Sequence, residues 1–190
     1  MTQKTDSDKD PFDLDFTALF NPATKVEEPH PTPQQEKTLS EEAVIGESKL
    51  TSNGYFVRIN EAAPKRKPRG TPQTVLVVED DEVTATLLGR ILEGNGFKVS
   101  YAATRAAIID GIKVFPDIVI MDVMMPDANG FDILNRIRQH DALKDLPVLM
   151  LTSLGALDDI LKGLKLGANG YLTKPAKSKA LLDAIRTVLA

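Results

Sequence analysis

Short apolar runs alternate with amphipathic stretches five times in the second part of this chain. The apolar runs are TVLVVE (74–79), FKVSY (97–101), DIVIMD (117–122), PVLMLT (147–152) and GYLT (170–173). Between and after these runs, apolar residues recur every three or four positions, which predicts helices. Parallel strands are joined through such helices by right-handed crossovers. We therefore predict an α/β fold, a doubly wound, five-stranded parallel sheet with helices on both faces.

The predicted helices carry start and stop signals. Thr104 can cap the second helix, which runs to about Val114. Gly94 and Gly96 end the first helix, and Gly167 follows the fourth. In a doubly wound sheet, ligands bind at the carboxyl ends of the strands, so the residues at those ends are the candidates for function.

Residues 1–71 differ in character from residues 72–190. Seven prolines precede Pro72, and residues 1–63 hold 12 acidic and 6 basic side chains. Such a segment offers too little apolar surface to offset the entropy of ordering. We predict a flexible N-terminal tail that ends in the basic stretch PKRKPRG (64–70), followed by one folded domain over 72–190.

Three features of the tail admit a second interpretation. Residues 10–22, DPFDLDFTALFNP, place four apolar side chains on one face of a possible helix over 11–20. That segment is either a docking peptide for an output protein or a flexible tail, with neither interpretation favoured. GYFVRI (54–59) could pair with a sheet edge or a partner, although a linker is favoured. KRKPR (65–69) is interpreted as a solvated linker in preference to a nucleic-acid site.

Polar residues stand at the carboxyl ends of four of the five predicted strands. These residues are Glu79 and Asp80 after the first strand, Asp122 after the third, Thr152 at the end of the fourth and Lys174 after the fifth. If the first and third strands are neighbours, three carboxylates share one pocket, which is unfavourable unless a cation neutralises them or their pKa values rise. Mg²⁺ suits such oxygen ligands and often bridges to a phosphate.

This set of residues has a chemistry of its own. A carboxylate such as that of Asp122 can act as a nucleophile and become an aspartyl phosphate. Phosphoryl transfer depends mainly on positioning and charge neutralisation. Mg²⁺ and Lys174 would neutralise the phosphoryl oxygens, and the Thr152 hydroxyl would bond to one of them.

Residues 74–190, approximately, resemble the receiver domain of two-component response regulators. The motifs VLVVEDDE, IVIMDVMMPDANG, VLMLTS and GYLTKP match that family in order and spacing, and they cover essentially the whole folded part. The resemblance implies a flavodoxin-like sheet of order 2-1-3-4-5. It also implies a signalling module, not an enzyme, that receives a phosphoryl group from a sensor histidine kinase or a phosphotransfer protein. Such a module assists its own phosphorylation and dephosphorylation.

The resemblance assigns roles at the acidic pocket. Asp122 would be the phosphoacceptor and Lys174 the phosphate-binding lysine. Glu79 and Asp80 would hold Mg²⁺ together with Asp122 and the backbone carbonyl of Met124.

The resemblance also assigns a switch. Thr152 would be the switch hydroxyl, and Tyr171 matches an aromatic that changes rotamer on activation, although static packing explains Tyr171 equally well. The Lys174–Pro175 peptide bond would be cis, as X-Pro bonds can be. Pro126 and Gly130 would shape the loop beside the site. Output would pass through the face formed by the fourth helix, fifth strand and fifth helix.

The sequence departs from the family pattern in three places. Ala176 stands where an aromatic is frequent, and Asn169–Gly170 stands where many DNA-binding regulators carry an acidic pair. We expect no C-terminal output domain after the last helix. Met124 and Leu154 occupy the two positions that flank the path of the hydrolytic water in the family. Because neither can accept a proton from that water or orient it, we expect slow self-dephosphorylation.

Several classes of function are disfavoured. The chain has no cysteine, which removes disulfides, thiolate zinc sites and cysteine nucleophiles. Its net charge of −4 gives no argument for nucleic acid. No apolar run approaches the roughly 20 residues of a membrane span, and no signal peptide is evident, so we expect a cytoplasmic protein without membrane insertion.

There are two alternative functions. One is a receiver-like scaffold that works without phosphorylation. The other is a nucleotide- or flavin-binding enzyme, which is disfavoured because the sequence has no GxGxxG or Walker A motif after the first strand.

Overall fold

The structure, a computed structural model, describes residues 57–60, 63–153, 157–175 and 177–190. The proposed docking segment 10–22, with its possible helix over 11–20, lies outside the described residues. So do two of the positions discussed above, Leu154 and Ala176.

The described residues form eight strands and five helices. The strands are β1 (Val57–Ile59), β2 (Thr74–Val78), β3 (Lys98–Ala102), β4 (Ile118–Met121), β5 (Met124–Met125), β6 (Ala128–Asn129), β7 (Val148–Thr152) and β8 (Gly170–Thr173). The helices are α1 (Glu82–Glu93), α2 (Arg105–Lys113), α3 (Gly130–Gln139), α4 (Leu157–Lys165) and α5 (Ser178–Leu189). No helix in the described ranges has the length and hydropathy of a membrane span.

The main sheet has the predicted topology with one strand added. Its order is β3-β2-β4-β7-β8-β1, and β5 and β6 form a separate two-stranded hairpin. The pairs β3–β2, β2–β4, β4–β7 and β7–β8 are parallel. The predicted α/β fold with the flavodoxin-like order 2-1-3-4-5 is therefore confirmed for the five predicted strands.

Apolar residues fill both sides of this sheet. Along β2, Leu76 and Val78 join a cluster with α2, α3 and α4, whereas Val75 and Val77 join a cluster with α1 and α5. Side chains of a strand point alternately to the two faces, so burial on both faces requires a continuous apolar run. This is why β2, β4 and β7 appear in the sequence as largely unbroken apolar stretches, whereas β3, at the edge of the sheet, contains exposed polar residues.

Local signals place the helices as expected. Thr104 caps α2 by accepting a hydrogen bond from the Ala107 N–H, as predicted. Asp81, for which no cap was predicted, caps α1 by accepting from the Thr84 N–H. Gly167, after α4, has a φ of 87°, a left-handed conformation that glycine adopts at little cost.

The sixth strand comes from residues that the favoured interpretation assigned to a linker. β1 pairs antiparallel with β8, with Val57 opposite Leu172 and Ile59 opposite Gly170. Ile59 is half-buried and packs against the cluster of α1 and α5. The alternative interpretation of GYFVRI, a strand at a sheet edge, is therefore the one found for residues 57–59. The edge of β8 would otherwise present unpaired backbone groups, which an added strand satisfies.

Residues 63–73, which we call the amino-end belt, run along the amino ends of the strands. Its hydrogen bonds to the domain include those from Asn169 Nδ2 to Pro64 O, from Arg66 N to Asp145 O and from Arg69 N to Asp117 Oδ1, at 2.8, 2.9 and 2.7 Å. The Arg66 side chain also donates to the Pro116 carbonyl oxygen at 2.6 Å. The guanidinium groups of Arg66 and Arg69 lie 5.8 and 4.6 Å from the centroid of the Phe115 ring. The basic stretch therefore contacts the domain at Arg66 and Arg69, while Lys65, Lys67 and Arg69 remain exposed.

Candidate functional site at the carboxyl ends of the strands

The sheet brings the predicted acidic residues together. β2 and β4 are paired, with Val78 opposite Met121, so the residues that follow both strands meet at one edge. The Asp122 N–H donates to the Val78 carbonyl oxygen at 2.9 Å, which fixes Asp122 at the end of β4. Ligating oxygens of Glu79, Asp80 and Asp122 all lie within 4.8 Å of one another.

Lys174 reaches this pocket from the end of β8. Its Nζ lies 2.6 Å from Glu79 Oε2 and 2.7 Å from Asp122 Oδ2. The side chains of Lys174, Glu79 and Asp122 are 18%, 3% and 8% exposed, so both ion pairs are shielded from solvent. Short charge-assisted bonds of this kind fix the lysine against the two carboxylates.

The charges in the pocket do not balance. Burial raises the pKa of Glu79, and the bonds from Lys174 oppose that rise. Burial alone would lower the pKa of Lys174, but its bonds to Asp122 and Glu79 outweigh burial, so its pKa is raised. Asp80 adds a third, exposed carboxylate. Three carboxylates therefore share one ammonium group.

The residues present fit a hard divalent cation. The three acids supply oxygen ligands, which Mg²⁺ prefers over nitrogen and sulfur. Asp80 is open to solvent, which suits an ion that keeps several of its waters. The excess of negative charge is the observation that favours a cation here.

Backbone groups hold the other oxygen of Asp122. The N–H groups of Val123 and Met124 lie 2.6 and 3.3 Å from Asp122 Oδ1. These two donors were not anticipated from the sequence, since only the fold of the loop after β4 reveals backbone contacts. The Met124 side chain is 61% exposed beside the pocket.

Gly130 shapes this loop, as expected. Its N–H donates to the Val123 carbonyl oxygen at 2.9 Å, which closes the loop that contains the β5–β6 hairpin. A Cβ at position 130 would meet the Asp122 carbonyl oxygen and would lie 2.9 Å from Val123 Cα. A larger residue would therefore push the loop away from Asp122.

The two candidate switch residues lie on adjacent strands. Thr152 is fully buried at the end of β7 and stands opposite Thr173, and the Lys174 N–H donates to the Thr152 carbonyl oxygen at 2.7 Å. Tyr171 is also fully buried, and burial raises the pKa of its phenol. Thr152 thus adjoins the pocket, whereas the Tyr171 ring belongs to the core. The Lys174–Pro175 peptide is cis, as expected.

The amino ends of the strands carry a second polar cluster that the sequence did not reveal. Arg138 donates to the carbonyl oxygens of Gly167, Lys144 and Leu146 and to Asn169 Oδ1. Asn169 Oδ1 also accepts from the Val148 N–H, and its Nδ2 donates to Pro64. The departure from the family pattern at Asn169 thus has a structural role, because the amide binds the amino-end belt. The one available signal was a polar residue directly before a buried strand.

Comparisons with known proteins agree with this geometry. Residues 75–186 match the family described as response regulator receiver domain. Chemotaxis protein CheY of Treponema pallidum is 34% identical over 147 residues, covering 74% of this chain and 99% of that protein. Transcriptional regulatory protein CusR of Escherichia coli K12 is 39% identical over 119 residues, covering 60% of this chain and 50% of that protein. The chain spans about half the length of the transcriptional regulators that it matches.

Solved structures give the same result. Chemotaxis protein CheY4 of Vibrio cholerae superposes with a TM-score of 0.58 at 32% identity, covering 62% of this chain and 98% of that chain. The non-phosphorylated HemR receiver domain of Leptospira biflexa gives 0.56 at 32% identity, covering 62% and 94%. With its acidic pocket, its paired lysine and its strand order all in place, the chain belongs to the family of response regulator receiver domains.

Proposed function

We propose that this chain accepts a phosphoryl group on Asp122 and thereby switches its protein contacts. The donor is a sensor histidine kinase or a phosphotransfer protein. The observation that carries the proposal is the environment of Asp122, a buried carboxylate with one oxygen on Lys174 and the other on two backbone N–H groups. A carboxylate held in this way is positioned as a nucleophile.

The proposed transfer is a displacement at phosphorus. An oxygen of the Asp122 carboxylate attacks phosphorus, a new P–O bond forms, and the bond from phosphorus to the donor's leaving atom breaks with its electron pair. Lys174 Nζ, held 2.7 Å from Asp122 Oδ2, would neutralise a phosphoryl oxygen bound there. The Thr152 hydroxyl is proposed to bond to a second phosphoryl oxygen. In hydrolysis, water attacks phosphorus and forms a new P–O bond, and the P–O bond to Asp122 breaks with its electron pair. The products are phosphate, the free Asp122 carboxylate and a proton released to solvent.

Mg²⁺ is the proposed cofactor. Glu79, Asp80, Asp122 and the Met124 carbonyl oxygen are the proposed ligands, and the clustered oxygens of the three acids support that set. When bound, the ion would neutralise negative charge shared between the carboxylates and the phosphoryl group. The domain thus assists its own phosphorylation without turning over a separate substrate.

The switch is proposed to involve Thr152 and Tyr171. Tyr171 lies on β8 in the core cluster that includes α3 and α4, and a Cβ at Gly163 of α4 would lie 2.8 Å from its ring. The ring thus packs closely against α4, which supports a proposed coupling between the ring and that helix. The face formed by α4, β8 and α5 is the proposed output surface. The N-terminal segment 10–22 remains a second proposed contact for an output protein, and nucleic acid is not a proposed partner.

Chemical mapping of the modified residue tests the proposal. The full chain is incubated with Mg²⁺ and a small acyl phosphate, and the product is reduced with borohydride, which converts an aspartyl phosphate to homoserine. Peptide mass analysis is expected to place homoserine at 122. Homoserine at 80 and none at 122 would contradict the assignment, and absence of any modified peptide would favour the phosphorylation-independent scaffold.

A further inference from the structure

Asn169, the residue directly before β8, binds the chain at two points ahead of β2. Its carbonyl oxygen accepts from the Asn60 N–H at 2.9 Å, and its side-chain Nδ2 donates to the Pro64 carbonyl oxygen at 2.8 Å. Asn169 Oδ1 accepts from Arg138 Nη2 and from the Val148 N–H, both at 2.8 Å. Asn169 is 1% exposed, so these bonds are shielded from water. The buried amide therefore uses its donor and its acceptor at the same time, which ties the amino-end belt to the interior of the domain.

The amino-end belt crosses the strands in the order that they have in the sheet. It begins beside β8, where Pro64 is bonded to Asn169. The Arg66 N–H then donates to the carbonyl oxygen of Asp145, in the segment before β7. The Arg69 N–H donates to Asp117 Oδ1, directly before β4, and β2 follows the belt. Because β8, β7, β4 and β2 are neighbours in that order, the belt joins the amino ends of three strands before it enters the fourth.

The belt also covers a residue with a strained backbone. Phe115, in the turn between α2 and β4, has a φ of 53°, a left-handed conformation that bulky residues rarely adopt. Phe115 is 7% exposed, and the guanidinium groups of Arg66 and Arg69 lie over its ring. The Arg66 side chain also donates to the carbonyl oxygen of Pro116. A strained conformation persists where its surroundings fix it, and the belt supplies part of these surroundings.

We propose that the amino ends of β4, β7 and β8 form a binding surface whose occupant is the chain's own residues 63–69, and that Asn169 holds this occupant. The bound belt braces β4 and β8, the strands that lead to Asp122 and Lys174, from the end opposite the acidic pocket. The inference goes beyond the proposed function and does not depend on phosphorylation of Asp122.

The residue type at position 169 decides whether the belt binds. An amide accepts from Arg138 and donates to Pro64 at once, whereas a carboxylate accepts only. Asn169→Asp would therefore keep the acceptors for Arg138 and Val148 and set a negative charge against the Pro64 carbonyl oxygen. This position is one at which the sequence departs from the family pattern, so the belt and the departure belong together.

Hydrogen exchange of single amides in the full chain tests the proposal. The reporters are the N–H groups of Arg66 and Arg69, both bonded to the domain, and the N–H of Ile120 in β4 is the reference for the sheet. The first variant is Asn169→Asp.

The second variant, Arg66→Ala, leaves the cluster around Arg138 intact. It removes the bond to Pro116 and one guanidinium group from the Phe115 ring. Lys67→Ala, at the exposed neighbouring position, is the matched control.

Wild type and Lys67→Ala are expected to protect the Arg66 and Arg69 amides. Asn169→Asp should lower the protection of both at least about tenfold, and Arg66→Ala should lower that of Arg69 several-fold, whereas Ile120 keeps its protection. Unprotected Arg66 and Arg69 amides in wild type would overturn the proposal, and so would unchanged protection in Asn169→Asp. If Asn169→Asp also exposes Ile120, the whole sheet is destabilised and Arg66→Ala decides. Unchanged protection of the Arg69 amide in Arg66→Ala would then contradict the proposal, and selective loss there would support it.

Discussion

The two ends of the sheet both gather charged side chains, but they differ in how the charges are paired: Asp117 and Arg138 at the amino end each have several hydrogen-bond partners, whereas Glu79 and Asp122 at the carboxyl end bind one lysine. At the amino end, Asp117 Oδ1 accepts from the Arg69 N–H, and Oδ2 accepts from the N–H and hydroxyl of Thr74. These bonds, together with the positive charge of Arg66, outweigh burial and lower the pKa of Asp117. Arg138, whose pKa burial lowers to about 10, donates to three carbonyl oxygens and to Asn169.

At the carboxyl end, two buried carboxylates bind one lysine, and the exposed carboxylate of Asp80 lies beside them. Glu79 and Asp122 are buried, and both bind the same ammonium group. Charges removed from water without full compensation cost stability, so such an arrangement is expected where a ligand supplies the missing charge. At the amino end, in contrast, the bonds of Asp117 and Arg138 contribute to folding, and the buried side-chain atom left without a hydrogen-bond partner among the described residues there is a donor, Arg66 Nε. The unbalanced charge therefore distinguishes the candidate ligand site at the carboxyl end from the structural cluster at the amino end, although both are rich in polar residues.

The largest effect is expected from removal of divalent cations. This effect should be confined to the pocket at the carboxyl end of the sheet. Labelling by a small acyl phosphate is expected to fall to background with a chelator and to return with Mg²⁺, because the acids otherwise repel the phosphoryl group. Intact-protein mass measures the label. A melting curve in chelator serves as the control for folding. Undiminished labelling without divalent cations would contradict the role given to the three acids.

Lys174→Met should expose the charge imbalance directly. It leaves two buried carboxylates without a counter-charge, which costs about 3 kcal/mol of unfolding free energy. Mg²⁺ should restore part of that loss, and stabilise the variant more than wild type. Denaturant unfolding with and without Mg²⁺ measures both effects. Lys98→Met, at an exposed position, is the matched control and should change stability by less than about 0.5 kcal/mol. Equal stabilisation of wild type and Lys174→Met by Mg²⁺ would contradict the charge imbalance described for the carboxyl end.

Asp117→Asn should lower stability by about 2 kcal/mol at neutral pH, because the amide cannot accept all three hydrogen bonds. The pKa of Asp117 is lowered in the folded state, so its contribution is present above the unfolded value of about 3.9 and is lost as pH falls through the folded value. The difference between wild type and variant should therefore be constant from pH 7 to about 5 and shrink below that.

Denaturant unfolding at several pH values measures this difference. Asp110→Asn removes an exposed acid paired with Lys113 and should cost less than about 1 kcal/mol. A difference for Asp117→Asn that grows with acidity would show that the carboxylate is not the stabilising form.

The smallest of the expected effects concerns the lifetime of the phosphorylated state. Met124→Asn combined with Leu154→Glu introduces side chains that can orient water and accept its proton, so decay should become several-fold faster. The decay of the phosphoprotein after removal of the donor measures the rate. A wild-type decay already as fast as that of the double variant would refute the argument, and so would a slower variant.

The sequence predicted the carboxyl end well because its signals are local and ordered. Each acid or lysine stands directly after an apolar run, and parallel strands place those positions at one edge. Glu79, Asp80, Asp122 and Lys174 could therefore be grouped before any contact was known. The contacts of Asp122 with the Val123 and Met124 N–H groups could not, since they depend on the path of the loop.

The amino end was missed because its partners are far apart in the chain. Asn169 and Pro64 are 105 residues apart, and Arg69 and Asp117 are 48 apart. No periodicity links such residues, and a stretch rich in proline and basic residues is typical of a linker. Pro64 and Arg69 bond through backbone groups, which residue type does not reveal, whereas the Arg66 side chain donates to the Pro116 carbonyl oxygen at 2.6 Å. β1 was not the favoured interpretation of residues 57–59 for a further reason: three residues are too short a stretch to show the alternation of a strand.

One experiment tests the distinction between the two ends most directly. Wild type, Asp122→Asn and Asp117→Asn are each incubated with Mg²⁺ and a small acyl phosphate, and intact mass is followed over time, with Asp127→Asn as a control at an exposed turn position. Wild type, Asp117→Asn and Asp127→Asn are expected to gain one phosphoryl group at similar rates, whereas Asp122→Asn gains none. Labelling of Asp122→Asn at the wild-type rate would contradict the assignment of the carboxyl end as the phosphoacceptor site.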